Sequence, residues 1–153
     1  MLIAVARQLT TIPAQFEQTL SAVPDKAAVF GGGASLTFQQ LHAEAAAAAQ
    51  ALASLGVLPG DRVGICMQKT LDQVVAILGV LWANAILVPI HPVLRAEQIG
   101  HMVDDCDMKL LITESARIAE FRDAAHGRIL IGRGPAGQEI ASLGELRREY
   151  QGS

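Results

Sequence analysis

The chain alternates short apolar runs with longer segments in which apolar residues recur every three or four positions. The short runs predict strands and the longer segments predict helices. The segment from Leu71 to Ala83 is apolar on more than one face, which predicts a helix buried on more than one side. Because strands separated by single helices need crossover connections, they form a parallel sheet. The pattern predicts a layered α/β domain with a mainly parallel sheet of about four strands flanked by helices.

The first third of the chain predicts two helices and a hairpin that lies beside the parallel strands or apart from them. A helix is expected from Thr11 and Pro13 to about Val23, with the threonine as its N-cap. Gly31 to Gly33 then predict the turn of a short N-terminal β-hairpin. The next helix begins at Thr37, and its capping-box pattern with Gln40 marks that start. Gly56 marks its end.

The remaining elements follow in alternation. Asn84 is expected to end its helix in the left-handed conformation. The strand at 86–90 is expected to be buried. Parallel strands are predicted near 62–67, 86–90, 109–113 and 128–131, with later helices at Glu97–Asp105, Ser115–Ala125 and Ser142–Tyr150.

Composition excludes several classes of function. The 153 residues are 51% hydrophobic and 18% charged, with a net charge of -3. These values exclude intrinsic disorder, and they leave no basic surface for nucleic acid. The stretch from Val74 to Ile90 is slightly short of a membrane span and is interrupted by Asn84 and Pro89. Cys66 and Cys106 are too few for a disulfide framework, which favours a reducing cytoplasm.

The residues themselves do not assemble a self-sufficient active site. Gly132 to Gly137 match G-x-G-x-x-G after a predicted strand, but Pro135 removes a backbone donor from the loop, which favours a surface loop. Cys66 is expected to be buried in its strand as a small hydrophobe. His101 and Asp105 share a helix face, yet no second cluster of ligands completes a metal site. No catalytic or metal-binding residue is therefore predicted.

Several strings, taken together, resemble the adenylate-forming enzymes, which include acyl-CoA synthetases, the adenylation domains of peptide synthetases, and luciferases. Leu36-Thr37-Phe38-Gln39-Gln40-Leu41 is similar to the first core motif, L-[ST]-[YF]-x-x-L. The segment from Leu81 to Pro92 resembles the second, L-x-A-G-x-x-x-V-P-L-[DN]-P. The strings Pro24 to Val29, Leu55 to Val63 and Leu110 to Thr113 fit the family in the same order. The resemblance covers about residues 11 to 131 and implies that the whole 1–153 chain is one domain, similar to the N-terminal part of the family's large domain.

Two departures from the family pattern, and one candidate residue, affect what is expected of the site. Asn84 replaces the family's glycine, and asparagine can adopt the left-handed backbone conformation that a glycine at this position would take. His91 replaces the Asp or Asn before the second proline, and we expect that its side chain cannot make the same acceptor bonds. In some members a basic residue soon after this proline binds coenzyme A phosphates, and Arg95 is the candidate here.

The family's phosphate loop, rich in Ser, Thr and Gly and ending Pro-Lys-Gly, does not occur in the 153 residues. The resemblance thus implies an N-terminal fragment of an AMP-forming acyl-CoA ligase that is inactive alone and would use ATP, Mg²⁺ and coenzyme A when complete. A peptide-synthetase adenylation domain and a free-standing, non-catalytic scaffold or regulatory module remain as alternatives. The expected partners are the remainder of the enzyme and, for the isolated chain, a second copy in a homodimer.

Overall fold

A computed structural model of the chain describes residues 11–133. Six strands and five α-helices lie in this range, together with a 3-10 turn at Ser115–Arg117. The strands are β1 (Ala27–Gly31), β2 (Ala34–Thr37), β3 (Arg62–Cys66), β4 (Ile86–Pro89), β5 (Met108–Glu114) and β6 (Ile129–Arg133). The helices are α1 (Ile12–Ala22), α2 (Phe38–Ser54), α3 (Leu71–Trp82), α4 (Ala96–Asp105) and α5 (Ile118–Phe121).

Four of the strands form a parallel sheet in the order β4-β3-β5-β6. The other two, β1 and β2, form a separate antiparallel hairpin. The predicted α/β class, the four parallel strands and the N-terminal hairpin are confirmed. The predicted helix at Ser142–Tyr150 lies outside the described residues.

Two apolar clusters cover the two faces of the parallel sheet. On one face, buried residues of α2 and α3 pack with Val63, Ile65, Leu110 and Ile112. On the other, Ile99 of α4 and Phe121 of α5 pack with Cys66, Met108 and Leu111. Neighbouring residues of β5 therefore point to opposite helical layers, as strand geometry requires. The sheet is the middle layer of three.

The predicted helix boundaries follow from local chemistry. Thr37 Oγ1 accepts a hydrogen bond from the Gln40 N–H at 3.1 Å, and Gln40 Oε1 accepts one from the Thr37 N–H at 2.9 Å, which completes the capping box. Thr11 caps α1 in a similar way. Asn84 has a φ of 54° and ends α3 in the left-handed conformation. These predictions are confirmed.

The contact between α2 and α3 depends on small residues. Gly79 of α3 faces Ala45 and Ala48 of α2, and a Cβ placed on Gly79 would lie 2.6 Å from the Ala48 Cβ. Carbon atoms in contact normally lie about 3.5–4.0 Å apart. The two helix backbones can therefore approach this closely only because Gly79 lacks a side chain.

The prediction that the strand at 86–90 is buried is wrong for most of its length. Ile86 is 48% exposed, Pro89 is exposed, and only Ile90, just after β4, is buried. The reason lies in the strand order, because β4 has β3 on one side and no neighbour on the other within residues 11–133. The N–H of Ile86 donates to the Asp61 carbonyl just before β3, and the N–H of Ile90 donates to the Ile65 carbonyl in β3. Because backbone N–H groups alternate sides along a strand, the backbone nitrogen of residue 89 faces away from β3. Proline has no N–H to lose there, and such positions are where sheets accept it.

The predicted helix at Ser115–Ala125 is also much shorter than expected. The chain forms the 3-10 turn at Ser115–Arg117 and then the four-residue α5. The following turns close through bonds from the His126 N–H to the Asp123 carbonyl and from the Arg128 N–H to the Ala125 carbonyl. His126 and Gly127 then take positive φ values of 47° and 77° and redirect the chain into β6. Within residues 11–133, no helix is long and apolar enough to cross a membrane.

Candidate functional site

The topology defines one position in the sheet where a ligand is expected. β3 and β5 are neighbours, but α3 follows β3 onto one face and α5 follows β5 onto the other. The chain thus leaves the two strands in opposite directions at their carboxyl ends. In open α/β sheets, ligands bind in the crevice that such a reversal creates. We therefore take the carboxyl end of β3 and β5 as the candidate site.

Polar side chains join the two strand ends at this point. The Thr113 hydroxyl is fully buried and donates to the Cys66 carbonyl at 2.9 Å. The Gln68 N–H donates to a carboxylate oxygen of Glu114. The Gln73 side-chain amide donates to the Met67 carbonyl at 3.0 Å, which fixes the start of α3 to the end of β3. The polar groups at the carboxyl ends of β3 and β5 are therefore hydrogen-bonded to one another.

Arg117 is the most highly connected side chain at this edge. Its Nη1 donates to the Pro92 carbonyl at 2.6 Å, and its Nη2 donates to the Leu94 carbonyl at 3.3 Å. Its Nε and Nη2 also form a two-pronged ion pair with Glu120, both at 3.0 Å. The guanidinium carbon lies 4.3 Å from the centre of the Phe121 ring, in a cation–π contact. One side chain thus fixes the loop after β4 to the segment after β5.

The charges and burial at this edge favour an ionised Glu120 and Arg117 and a neutral Cys66 thiol. The hydrogen bond from Arg117 holds the pKa of Glu120 below its ordinary value, and the same bond raises the pKa of Arg117. Burial raises the pKa of the Cys66 thiol, although Arg117 Nη1 lies 3.6 Å from its sulfur and opposes that effect. As predicted, Cys66 is buried. It is therefore a packing residue rather than a nucleophile.

The loop that Arg117 fixes carries two of the residues considered above. Leu94 donates its N–H to the His91 carbonyl at 3.1 Å, which closes a turn. The Val93 N–H donates to His91 Nδ1 at 3.2 Å. The expectation that His91 cannot make the acceptor bond of an Asp or Asn is wrong, since a neutral imidazole with an unprotonated Nδ1 accepts this N–H two residues on, as Asx side chains do.

Arg95 lies at the end of this turn and immediately before α4. Its N–H donates to Gln98 Oε1 at 3.0 Å, and its carbonyl accepts the Ile99 N–H at 3.1 Å. The side chain is exposed, and within residues 11–133 its guanidinium has no hydrogen-bond or ion-pair partner. Its backbone is therefore held in place, while its charge remains available to a ligand.

The other candidate segments do not contribute to this edge. Gly132 and Arg133 belong to β6, and the rest of the G-x-G-x-x-G string lies outside the described residues. Gly32 and Gly33 form the hairpin turn with φ values of 59° and 79°. Across residues 11–133, no group of three His, Cys, Asp or Glu side chains could hold a metal ion. Asp104, near the end of α4, pairs instead with His126 at 2.9 Å and with Arg128 at 3.5 Å.

Residues 16–149 match the family model described as AMP-binding enzyme. The chain belongs to the AMP-binding enzyme family. Curated relatives include AMB antimetabolite synthetase AmbB from Pseudomonas aeruginosa, 35% identical over 74% of this chain, and gramicidin S synthase 2 from Brevibacillus brevis, 29% identical over 75%. The chain spans only 9% and 3% of their lengths.

Solved structures of AMP-binding enzymes have the same fold. A benzoate CoA ligase from Burkholderia xenovorans LB400 superposes with a TM-score of 0.80 at 26% identity, over 88% of this chain and 27% of the ligase. The N-terminal subdomain of Klebsiella oxytoca NpsA gives a TM-score of 0.72 at 20% identity, over 92% of this chain and 33% of that one. The resemblance to an adenylate-forming enzyme is thus confirmed, and the chain has the fold of the N-terminal subdomain.

Proposed function

We propose that this chain is the N-terminal part of an AMP-forming acid–coenzyme A ligase. The complete enzyme would let a carboxylate attack the α-phosphorus of ATP, which releases pyrophosphate and leaves an acyl-adenylate. The thiol of coenzyme A would then displace AMP. The observation that carries this proposal is the superposition on the benzoate CoA ligase, which extends over 88% of the chain with a TM-score of 0.80.

The described residues meet some needs of this chemistry and not others. ATP and Mg²⁺ require preorganised donors and acidic ligands around the phosphates. Within residues 11–133, no three His, Cys, Asp or Glu side chains lie together in a way that could hold a metal ion. Arg95, by contrast, presents a guanidinium with no partner among the described groups, which suits a phosphate of coenzyme A.

A second candidate function is the adenylation domain of a peptide synthetase. Curated relatives named as gramicidin, mycosubtilin and surfactin synthases favour it, at 29–36% identity. Both candidates form an acyl-adenylate and differ in the thiol that receives the acyl group. In the first it belongs to free coenzyme A, and in the second to the phosphopantetheine arm of a carrier protein.

The test begins with the 153-residue chain itself. Incubated with Mg²⁺-ATP and a panel of carboxylic acids, it should release no pyrophosphate above a heat-killed control, because its sequence holds no phosphate loop. Turnover would refute the proposal that it is a fragment. The reading frame beyond Ser153 is sequenced in parallel. A stop codon there would instead support a non-catalytic module.

If the frame continues, its full product should exchange labelled pyrophosphate into ATP when an acid is supplied. Benzoate and anthranilate should be tried as aryl acids beside the common amino acids. Thioester formed on free coenzyme A would confirm the ligase, while transfer only to a carrier protein would identify the peptide-synthetase domain. Absence of exchange with every acid would contradict both candidates.

A further inference from the structure

We propose that Arg117 is a positioning residue, which holds the turn from His91 to Leu94 so that Arg95 faces the phosphates of the thiol-bearing substrate. The inference rests on the proposed function, because that substrate is the acceptor of the second half-reaction. Arg117 itself need not touch the substrate. It acts through the backbone of the loop that precedes α4.

The turn from His91 to Leu94 has few hydrogen bonds of its own. Within the described residues, it is closed internally by the Leu94 N–H to His91 carbonyl bond and by the Val93 N–H to His91 Nδ1 bond. Val93 is 77% exposed and therefore adds little packing. Attachment to the sheet ends with the Ile90 N–H to Ile65 carbonyl bond. Half-buried Leu94 packs against the apolar cluster that contains Ile99 and Phe121, and the polar attachment of the turn comes from outside it.

Arg117 supplies this attachment in a way that other side chains could not. Its two terminal nitrogens reach two carbonyls of one turn, at Pro92 and at Leu94, while its Nε and Nη2 engage Glu120. Only a planar fork with five N–H donors can make all these bonds at once. Phe121 is fully buried, so the ring beneath the guanidinium is a fixed platform.

The bonds from Arg117 to the turn also fix the backbone of Arg95. Arg95 is the residue after Leu94, so fixing the Leu94 carbonyl fixes the start of the Arg95 backbone. Gln98 Oε1 accepts the N–H of that same peptide group, and the Ile99 N–H holds the Arg95 carbonyl on the other side. Only the Arg95 side chain is left to move. A cation whose base is fixed loses less entropy when it binds a phosphate than one on a mobile loop.

The variant for the test is Arg117→Lys, which keeps the charge and the long aliphatic stem but loses the fork. Arg122→Lys is the matched control, because Arg122 is an exposed arginine of the same segment. In the 153-residue chain, amide exchange at Leu94 and Arg95 should become at least about tenfold faster in Arg117→Lys. Exchange in β3 and β5 should not change. A uniform rise across the sheet, or no change at Leu94 and Arg95, would overturn the positioning role.

The second measurement uses the full product of the reading frame and coenzyme A as the probe. Arg117→Lys and Arg95→Gln should each raise the KM for coenzyme A by about tenfold, the effect of about 1.4 kcal/mol. The double variant should be no worse than Arg95→Gln, since Arg117 acts through Arg95. Arg122→Lys should leave both the KM for coenzyme A and acid-dependent pyrophosphate exchange unchanged. An additive double variant, or an unchanged KM for coenzyme A in Arg117→Lys, would contradict the inference.

The two measurements separate failure of the inference from failure of the proposed function. If the wild-type product shows no pyrophosphate exchange at all, the proposed function fails. The amide-exchange measurement on the chain still decides whether Arg117 holds the turn. If exchange is present and the KM for coenzyme A does not move, the proposed function survives and the positioning role is rejected.

Discussion

The close contact between α2 and α3 predicts that Gly79→Ala lowers the unfolding free energy in the wild-type chain and raises it when Ala48 is also changed. Gly79→Ala would place a methyl carbon 2.6 Å from the Ala48 Cβ, and neither atom can rotate away. Overpacking of this kind costs about 1–3 kcal/mol. Exchanging glycine for alanine inside a helix gains about 1 kcal/mol from helix propensity. The variant should therefore lose about 0–2 kcal/mol of unfolding free energy.

The background Ala48→Gly removes the obstructing carbon. The next contacts of the new methyl group would be the Ala45 carbonyl oxygen at 3.4 Å and the Ala48 carbonyl carbon at 3.5 Å, which are ordinary van der Waals distances. In this background Gly79→Ala should stabilise the chain by about 1 kcal/mol, because only the propensity gain remains. The coupling energy of the double-mutant cycle then reports the overlap alone.

Urea denaturation followed by Trp82 fluorescence is a direct assay. Trp82 is the only tryptophan in the chain and lies three residues after Gly79. It packs edge-on against Phe16 of α1, with ring centres 5.2 Å apart, so separation of the helices changes its surroundings. If Gly79→Ala has the same effect in both backgrounds, the two helices do not approach as closely as described, and the reasoning fails.

Three further predictions test other parts of the molecule. Leu78→Ala should destabilise the chain by about 2–5 kcal/mol, because Leu78 is only 7% exposed, and the half-buried Leu81→Ala should cost less; a loss below about 1 kcal/mol in urea denaturation would contradict its place in the core. The Val93 amide should exchange with solvent faster in His91→Ala, which removes its acceptor, than in His91→Asn, which keeps a side-chain acceptor two residues before it; equal exchange in the two variants would count against the bond. Light scattering at micromolar concentration should show that the isolated chain forms a two-fold dimer through apolar surface that its parent enzyme would cover, and a monomeric mass across a hundredfold dilution would reject this prediction.

Where structure depends on neighbours in sequence, the residues predict it well. Thr37 and Gln40 are three positions apart and make both bonds of the capping box. Asn84 takes the left-handed conformation that its position after an apolar helix indicated. The order of strands and helices, together with the family resemblance, also gave the layers of the fold. These features need only local chemistry and the crossover rule.

Where structure depends on strand order, the residues alone were insufficient. Apolar character at Ile86 to Ile90 indicated a buried strand, but β4 lies at an edge of the sheet that residues 11–133 form. Pro89 carried the signal that could have revealed this, because proline seldom occupies a central strand. Arg117 had no comparable signal. Its carbonyl partners lie 25 and 23 residues away in sequence. They come within reach only because the carboxyl ends of the parallel strands β4 and β5 lie at the same edge of the sheet.

Pro89 changes the chemistry of the β4 edge of the sheet that residues 11–133 form. Exposed strand edges act as templates on which another chain can add, and proteins that keep such edges protect them. Ile86 is half exposed, and its apolar side chain on an unprotected edge strand would favour aggregation. Two residues of β4, Leu87 and Pro89, have their backbone nitrogens on the side away from β3. Leu87 has an N–H that can donate there, and Pro89 has none. A strand arriving at this edge would find one of the two donors there missing, so we expect Pro89 to disfavour strand addition to β4.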